Sequence, residues 1–190
     1  MDRKVSMGIV VATSLLLGAV VHAQGNPTVE KGYKVSAALQ SDQAFDLTNI
    51  VSGSSLTYKS QGSFGGINLG WTGSHGNYVT VKRQAGAGPV KYGEPVALKV
   101  EGGGHGDFLK YEHRDHGINL SWTKNPEYEW RIMGGTDGQP VGAGDQIAIV
   151  NNKENDSMIF CYRVNGAWLK WSKDCSRAER EAAKRGAPSR

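Results

Sequence analysis

Residues 66–72 read GINLGWT, residues 117–123 read GINLSWT, and residues 166–172 read GAWLKWS, a degenerate third copy. Gly66, Gly117 and Gly166 correspond, as do Leu69, Leu120 and Leu169, and then Trp71, Trp122 and Trp171. A recurrence at a period of about fifty residues marks a chain built from copies of one supersecondary unit. Strand side chains alternate between two faces. Ile67, Leu69 and Trp71 therefore share one side, and so do Ile118, Leu120 and Trp122, and Ala167, Leu169 and Trp171. Their apolar character assigns that side to the core. Asn68, Asn119 and Trp168 fall on the opposite side.

The correspondence extends upstream. Leu56-Thr57-Tyr58, Leu109-Lys110-Tyr111 and Phe160-Cys161-Tyr162 align as a preceding strand. Ala44-Phe45-Asp46-Leu47, Pro95-Val96-Ala97-Leu98 and Gln146-Ile147-Ala148-Ile149 align as a strand before that. These stretches are called a, b and c in chain order, with the opening motif as c. Glycine-bearing turns join b to c, and Asn165-Gly166 predicts a two-residue hairpin in the third unit. A fourth strand, d, follows in Tyr78-Val79-Thr80-Val81 and Trp130-Arg131-Ile132-Met133. The third unit lacks it, and Tyr33-Lys34-Val35-Ser36 supplies it from the N-terminal end. Pairing that segment with the last unit leaves no open edge.

Three four-stranded units over 32–172 resemble a β-trefoil, a six-stranded barrel capped by three hairpins. The fold class implied is all-β, with three pseudo-repeats. Propeller blades are similar in size, but three cannot close a ring. Ricin-type lectins of this superfamily carry Gln-x-Trp in each repeat, and this chain contains no Gln-x-Trp. Glu127-Tyr128-Glu129-Trp130-Arg131-Ile132 and Gly144-Asp145-Gln146-Ile147-Ala148-Ile149 are closer to the fascin-like and related lectin branches. The resemblance implies a binding module and transfers no sugar-binding positions.

Residues 1–23 read as a secretory signal peptide. Arg3 and Lys4 precede an apolar run from Met7 to Val21, and Val21-His22-Ala23 offers a small-residue cleavage site. No later segment is apolar enough to span a bilayer. The expected location is extracellular or periplasmic. Residues 24–175 are expected to form one domain, large enough to bury about 70% of its unfolded surface. Residues 176–190 read as a basic tail, helical or flexible. The net charge of +4 divides into one positive charge in the leader and three in that tail. The remainder is neutral, which argues against a nucleic-acid face. In an oxidising compartment Cys161 and Cys175 are able to pair, with two free thiols as the alternative. If Asn165-Gly166 were a two-residue turn, Cys161 would face Lys170 and Cys175 would have to curl back to reach it.

Saccharide recognition needs an aromatic face and convergent polar groups. Trp168 stands where the other units carry Asn68 and Asn119, and it is the expected stacking platform; packing under a loop or the tail is the competing reading. The two asparagines are equally suited to bonding nearby backbone in a turn. His113-Arg114-Asp115-His116, with His105 upstream, is the densest polar cluster, and Asp115 and His116 are its candidate ligand contacts. Its spacing matches no metal signature, so neither metal nor cofactor is expected. No Gly-x-Ser-x-Gly elbow is present, and glycine clusters 86–88 and 102–104 lack the lysine of a phosphate loop. The expected function is a non-catalytic module binding carbohydrate, such as a cell-surface glycan. A protein partner, as for a secreted inhibitor, is the alternative, and a histidine-cluster enzyme ranks below both.

Overall fold

The structure, a computed structural model, describes residues 26–62, 66–102 and 108–186. The signal segment, His105, Gly103 and Gly104 lie outside the described residues. The fold is all-β with one terminal helix. Its strands are β1 (Tyr33–Val35), β2 (Ala44–Phe45), β3 (Leu47–Asn49), β4 (Ser55–Tyr58), β5 (Leu69–Thr72), β6 (Val79–Arg83) and β7 (Pro95–Val100). They continue as β8 (Phe108–Tyr111), β9 (Leu120–Thr123), β10 (Trp130–Met133), β11 (Gln146–Asn151), β12 (Asp156–Phe160) and β13 (Leu169–Trp171). Helix α1 spans Arg177–Gly186.

All strand pairs are antiparallel. One path of pairings runs β2-β6-β7-β10-β11-β1-β3. The hairpins β4–β5, β8–β9 and β12–β13 branch from β3, β7 and β11. The N-terminal strand β1 lies between β3 and β11, so the first and last sequence units are joined. The first a stretch is split at Asp46: Phe45 pairs with β6, and Leu47 pairs with β1. Asp46 is buried; its backbone N–H donates to Ser36 Oγ at 3.0 Å, and its carbonyl accepts from the Ser36 N–H at 3.2 Å.

The alternation read from the sequence matches the packing. Leu69, Leu120 and Leu169 are fully buried, Ile67, Ile118 and Ala167 nearly so, and Trp71, Trp122 and Trp171 pack against the same core. The three tryptophans each meet an aromatic from a neighbouring hairpin: Trp122 meets Tyr58 at 6.0 Å, Trp171 meets Tyr111 at 6.4 Å, and Trp71 meets Phe160 at 5.1 Å. Such pairs add to the area each ring buries.

Two features tie positions 51 residues apart. Leu39 N–H donates to Val141 C=O, Val141 N–H to Val90 C=O, and Val90 N–H to Leu39 C=O, at 2.9–3.1 Å. Asp42, Gly93 and Gly144 follow these residues, each with positive φ. At the tips of the b–c loops Gly66, Gly117 and Gly166 have φ of 82°, 91° and 91°. A Cβ on Gly66 or Gly117 would make ordinary contact with the other's Cα at 3.4 Å, so the left-handed backbone, not lack of room, is what disfavours a side chain there.

The third hairpin differs from its expected register. Phe160, not Tyr162, faces Leu169, as Tyr58 faces Leu69 and Tyr111 faces Leu120. Asn165-Gly166 is not a two-residue turn. Cys161 N–H donates to Trp168 C=O at 3.1 Å, so the loop runs over 162–167 and Cys161 lies opposite Trp168 rather than Lys170. Lys170 faces Ile159. The φ of Gly166 matches its counterparts because it holds the same left-handed corner of a longer loop.

Cys161 and Cys175 form a disulfide. With Ile159 they make a small apolar cluster separate from the main core. The bridge delivers the chain to α1, which starts with a capping box. Ser176 Oγ accepts from the Glu179 N–H at 3.3 Å, and Glu179 Oε2 accepts from the Ser176 N–H at 2.9 Å. The helix is docked: Ala183 is buried, and Arg180 pairs with Glu30 and donates through Nη2 to the Ser172 carbonyl at 2.9 Å. No described helix is long and apolar enough to cross a membrane.

Candidate functional site

The b–c loops gather the residues singled out in the sequence. Asn68 lies just before β5. Its Oδ1 accepts from the Gln61 N–H and its Nδ2 donates to the Tyr58 hydroxyl, both at 3.1 Å. Asn119 does the same work before β9, where its Oδ1 accepts from the Arg114 N–H at 3.1 Å. Both asparagines are half-buried, and these bonds brace their own loops. Trp168 takes the equivalent place before β13. There it packs edge-on against Tyr162 at 4.8 Å and tilted against Phe160 at 5.7 Å. Its ring is half-buried, and its backbone carbonyl accepts from Trp71 Nε1 at 3.3 Å. A cluster of edge-on and tilted rings thus stands where the other two loops have an amide brace.

Two hollows lie beside this loop, of about 380 Å³ and 240 Å³, sharing Gly117, Arg163 and Lys170. The larger falls within the usual size of ligand pockets. His116, Val164, Asn165 and Glu179 complete it, so α1 forms one wall. Asn119 and Asp174 line the smaller one. Of the sequence candidates, His116 and Asn119 reach these hollows; Trp168 lies on the stretch whose flanking residues line them. Asp115 and His113 are exposed, and no hydrogen bond among the described residues joins the histidine cluster. Asn68 belongs to the first loop, whose tip Gly66 touches Gly117.

Arg163, Lys170 and Glu179 were not legible as site residues in the sequence. Lys170 Nζ pairs with Glu179 Oε1 at 2.6 Å, and Glu179 Oε2 also accepts from Ser176 Oγ at 3.0 Å. The Lys170 bond foremost, with the Ser176 N–H behind it, holds the Glu179 carboxyl down at about 2, below its ordinary value of 4.5. The stability this contributes is present above pH 4.5 and is lost as pH falls toward 2. Glu179→Gln is therefore expected to flatten the acid limb of the unfolding profile, measured by denaturation at pH values across that window. Parallel profiles for the two proteins would contradict the pairing.

The Arg163 guanidinium is different. Burial pushes it below its ordinary value, and only the field of Glu179 opposes the shift. Among the described residues it forms no hydrogen bond and no ion pair. The corresponding Arg114 spends its Nη1 on the Leu120 carbonyl at 3.2 Å.

A Ser-His-Asp grouping also occurs away from this face. Asp46 Oδ2 lies 2.9 Å and Ser55 Oγ 3.3 Å from the same atom, His75 Nδ1. A nucleophile relay needs the two ring nitrogens to serve different partners. Here one nitrogen serves both and Ser55 is fully buried, so the group caps a buried carboxylate. Among the described residues the one cluster of metal-ligand types is Cys161, Cys175 and Glu179, and its sulfurs are bonded to each other. Comparisons with protein-family models, curated proteins and solved structures find no match.

Proposed function

We propose that this chain is an exported, non-catalytic β-trefoil module that binds carbohydrate in the manner of a lectin. The trefoil reading is supported by the run of pairings from β2 round to β3, two strands separated in sequence only by Asp46. It is supported as well by the circuit of bonds among Leu39, Val90 and Val141. The disulfide suits an oxidising compartment.

The observation that carries the binding reading is the half-buried Trp168, backed by Tyr162 and Phe160, in a loop whose neighbouring residues line a hollow. A ring held by other rings offers a preorganised face for the apolar side of a sugar. His116 and Asn119 add polar edges, with Asp115 and Asn68 at the periphery. A protein partner is the second reading, favoured by Val164, which is 82% exposed at the tip of the same loop.

A glycan array on residues 24–190, followed by titration of tryptophan fluorescence, tests the proposal. Binding is expected for at least one glycan class, and Trp168→Ala should weaken it by about 1–3 kcal/mol. An array blank across neutral and acidic classes would overturn the lectin reading. A protein ligand captured by the wild type but not by a Val164→Asp variant would establish the second.

A further inference from the structure

We infer that the hollow beside Arg163 receives an oxyanion, the carboxylate or sulfate ester of an acidic saccharide. The saccharide part rests on the lectin reading above; the anion part rests on Arg163 alone.

Three observations converge. The guanidinium lies against the tip of the second b–c loop, its Nη1 4.0 Å from where a Cβ on Gly117 would stand. Gly117 and Arg163 line both hollows. The nearest acidic wall is already committed, because Glu179 is held by Lys170 on one oxygen and by Ser176 on the other. Asp174 is exposed and makes no ion pair with Arg163. A half-buried guanidinium without a protein partner keeps its donors available, and it forks naturally onto a carboxylate or sulfate.

The second unit provides an internal control. Arg114 holds the same loop position, and its guanidinium closes onto a carbonyl of its own hairpin. In the third unit Trp168 and Tyr162 stabilise the loop by packing, and the arginine is released from that task. Lys170, paired with Glu179, contributes positive field, and His116 brings a further donor to the rim. An oxyanion seated on Arg163 would place its sugar ring beside the aromatic stretch of the same loop.

The test uses the full mature chain, with its disulfide, as wild type, Arg163→Ala and Arg163→Lys. The probes are a hyaluronan tetrasaccharide, bearing carboxylates only; a heparin tetrasaccharide, bearing both groups; a neutral chitotetraose; and inorganic sulfate and acetate alone. Binding of an acidic probe should fall roughly tenfold or more in Arg163→Ala and less in Arg163→Lys. It should also weaken with added salt. The Arg163 side-chain N–H resonance should shift with sulfate or acetate. Preference for heparin over hyaluronan assigns the sulfate, and equal binding assigns the carboxylate. If the resonance shifts with the free anions while every saccharide fails, the anion site stands and the lectin reading falls. If acidic probes bind Arg163→Ala as well as wild type, or the resonance is unmoved by both anions, the inference is overturned while the lectin reading survives on chitotetraose.

Discussion

Trp130→Ala is expected to cost about 3–5 kcal/mol, the largest loss of any single change considered. Trp130 is fully buried, stacks on Trp171 at 6.3 Å, and pairs through its backbone with both Val96 and Asn151. Its indole Nε1 donates to the Leu109 carbonyl at 2.9 Å, so one side chain fastens β10 to β8. Truncation removes the buried area, leaves a cavity its neighbours cannot fill, and deletes a buried hydrogen bond to the Leu109 carbonyl. Against a typical stability of about 5–15 kcal/mol, this loss threatens the fold outright. Trp130→Phe keeps most of the volume and isolates the hydrogen bond, at about 1–3 kcal/mol. Equilibrium denaturation by guanidinium of both variants checks the pair. A loss below about 1 kcal/mol for the alanine variant would contradict the assignment of Trp130 to the shared core.

Loss of the Cys161–Cys175 bridge is expected to cost about 3 kcal/mol, the chain-entropy value for a loop of roughly this size. In a domain of this length that corresponds to a fall of roughly 6–12 °C in Tm. The bridge anchors the last b–c loop to the chain that enters α1, and Ile159 is its apolar company. Arg180 still holds the helix through Glu30 and Ser172, so α1 should loosen rather than detach. The wall that Glu179 gives the hollow loosens with it. Paired Cys161→Ala and Cys175→Ala changes should lower Tm and make it insensitive to reductant, whereas reductant should lower Tm of the wild type. An unchanged Tm in the double variant would mean that the helix docks without help from the bridge.

Much of the core was readable because alternation is a strong signal wherever one face is buried. Leu69, Leu120 and Leu169 were assigned inward, and they are fully buried. The third hairpin was misread because Phe160-Cys161-Tyr162 offers two aromatics at strand spacing, and local sequence cannot choose between them. Asn165-Gly166 reinforced the shorter loop, although the glycine serves a left-handed corner. The break at Asp46 was hidden because its cause lies in a bond to Ser36, ten residues away.

The site was legible only in part. Trp168, Asn68 and Asn119 were placed by alternation, but the bonds that distinguish their roles arise from loop geometry. Arg163 gained meaning only when α1 folded back over the third loop. The signal that could have placed the helix was Ser176 followed three residues later by Glu179, a capping box. Nothing local could have shown that Lys170 would claim Glu179 and leave Arg163 without a partner.

The circuit through Leu39, Val90 and Val141 acts as a check on complete assembly. Each residue gives one bond and takes one, and each is buried. With two of the three segments in place, one bond forms, and one N–H and one C=O are left facing the gap. Burying those groups unpaired costs about 1–3 kcal/mol each, so a two-thirds structure gains little by closing early. Arrival of the last segment satisfies both at once. The chain therefore discriminates against its own partial folds where these three segments meet.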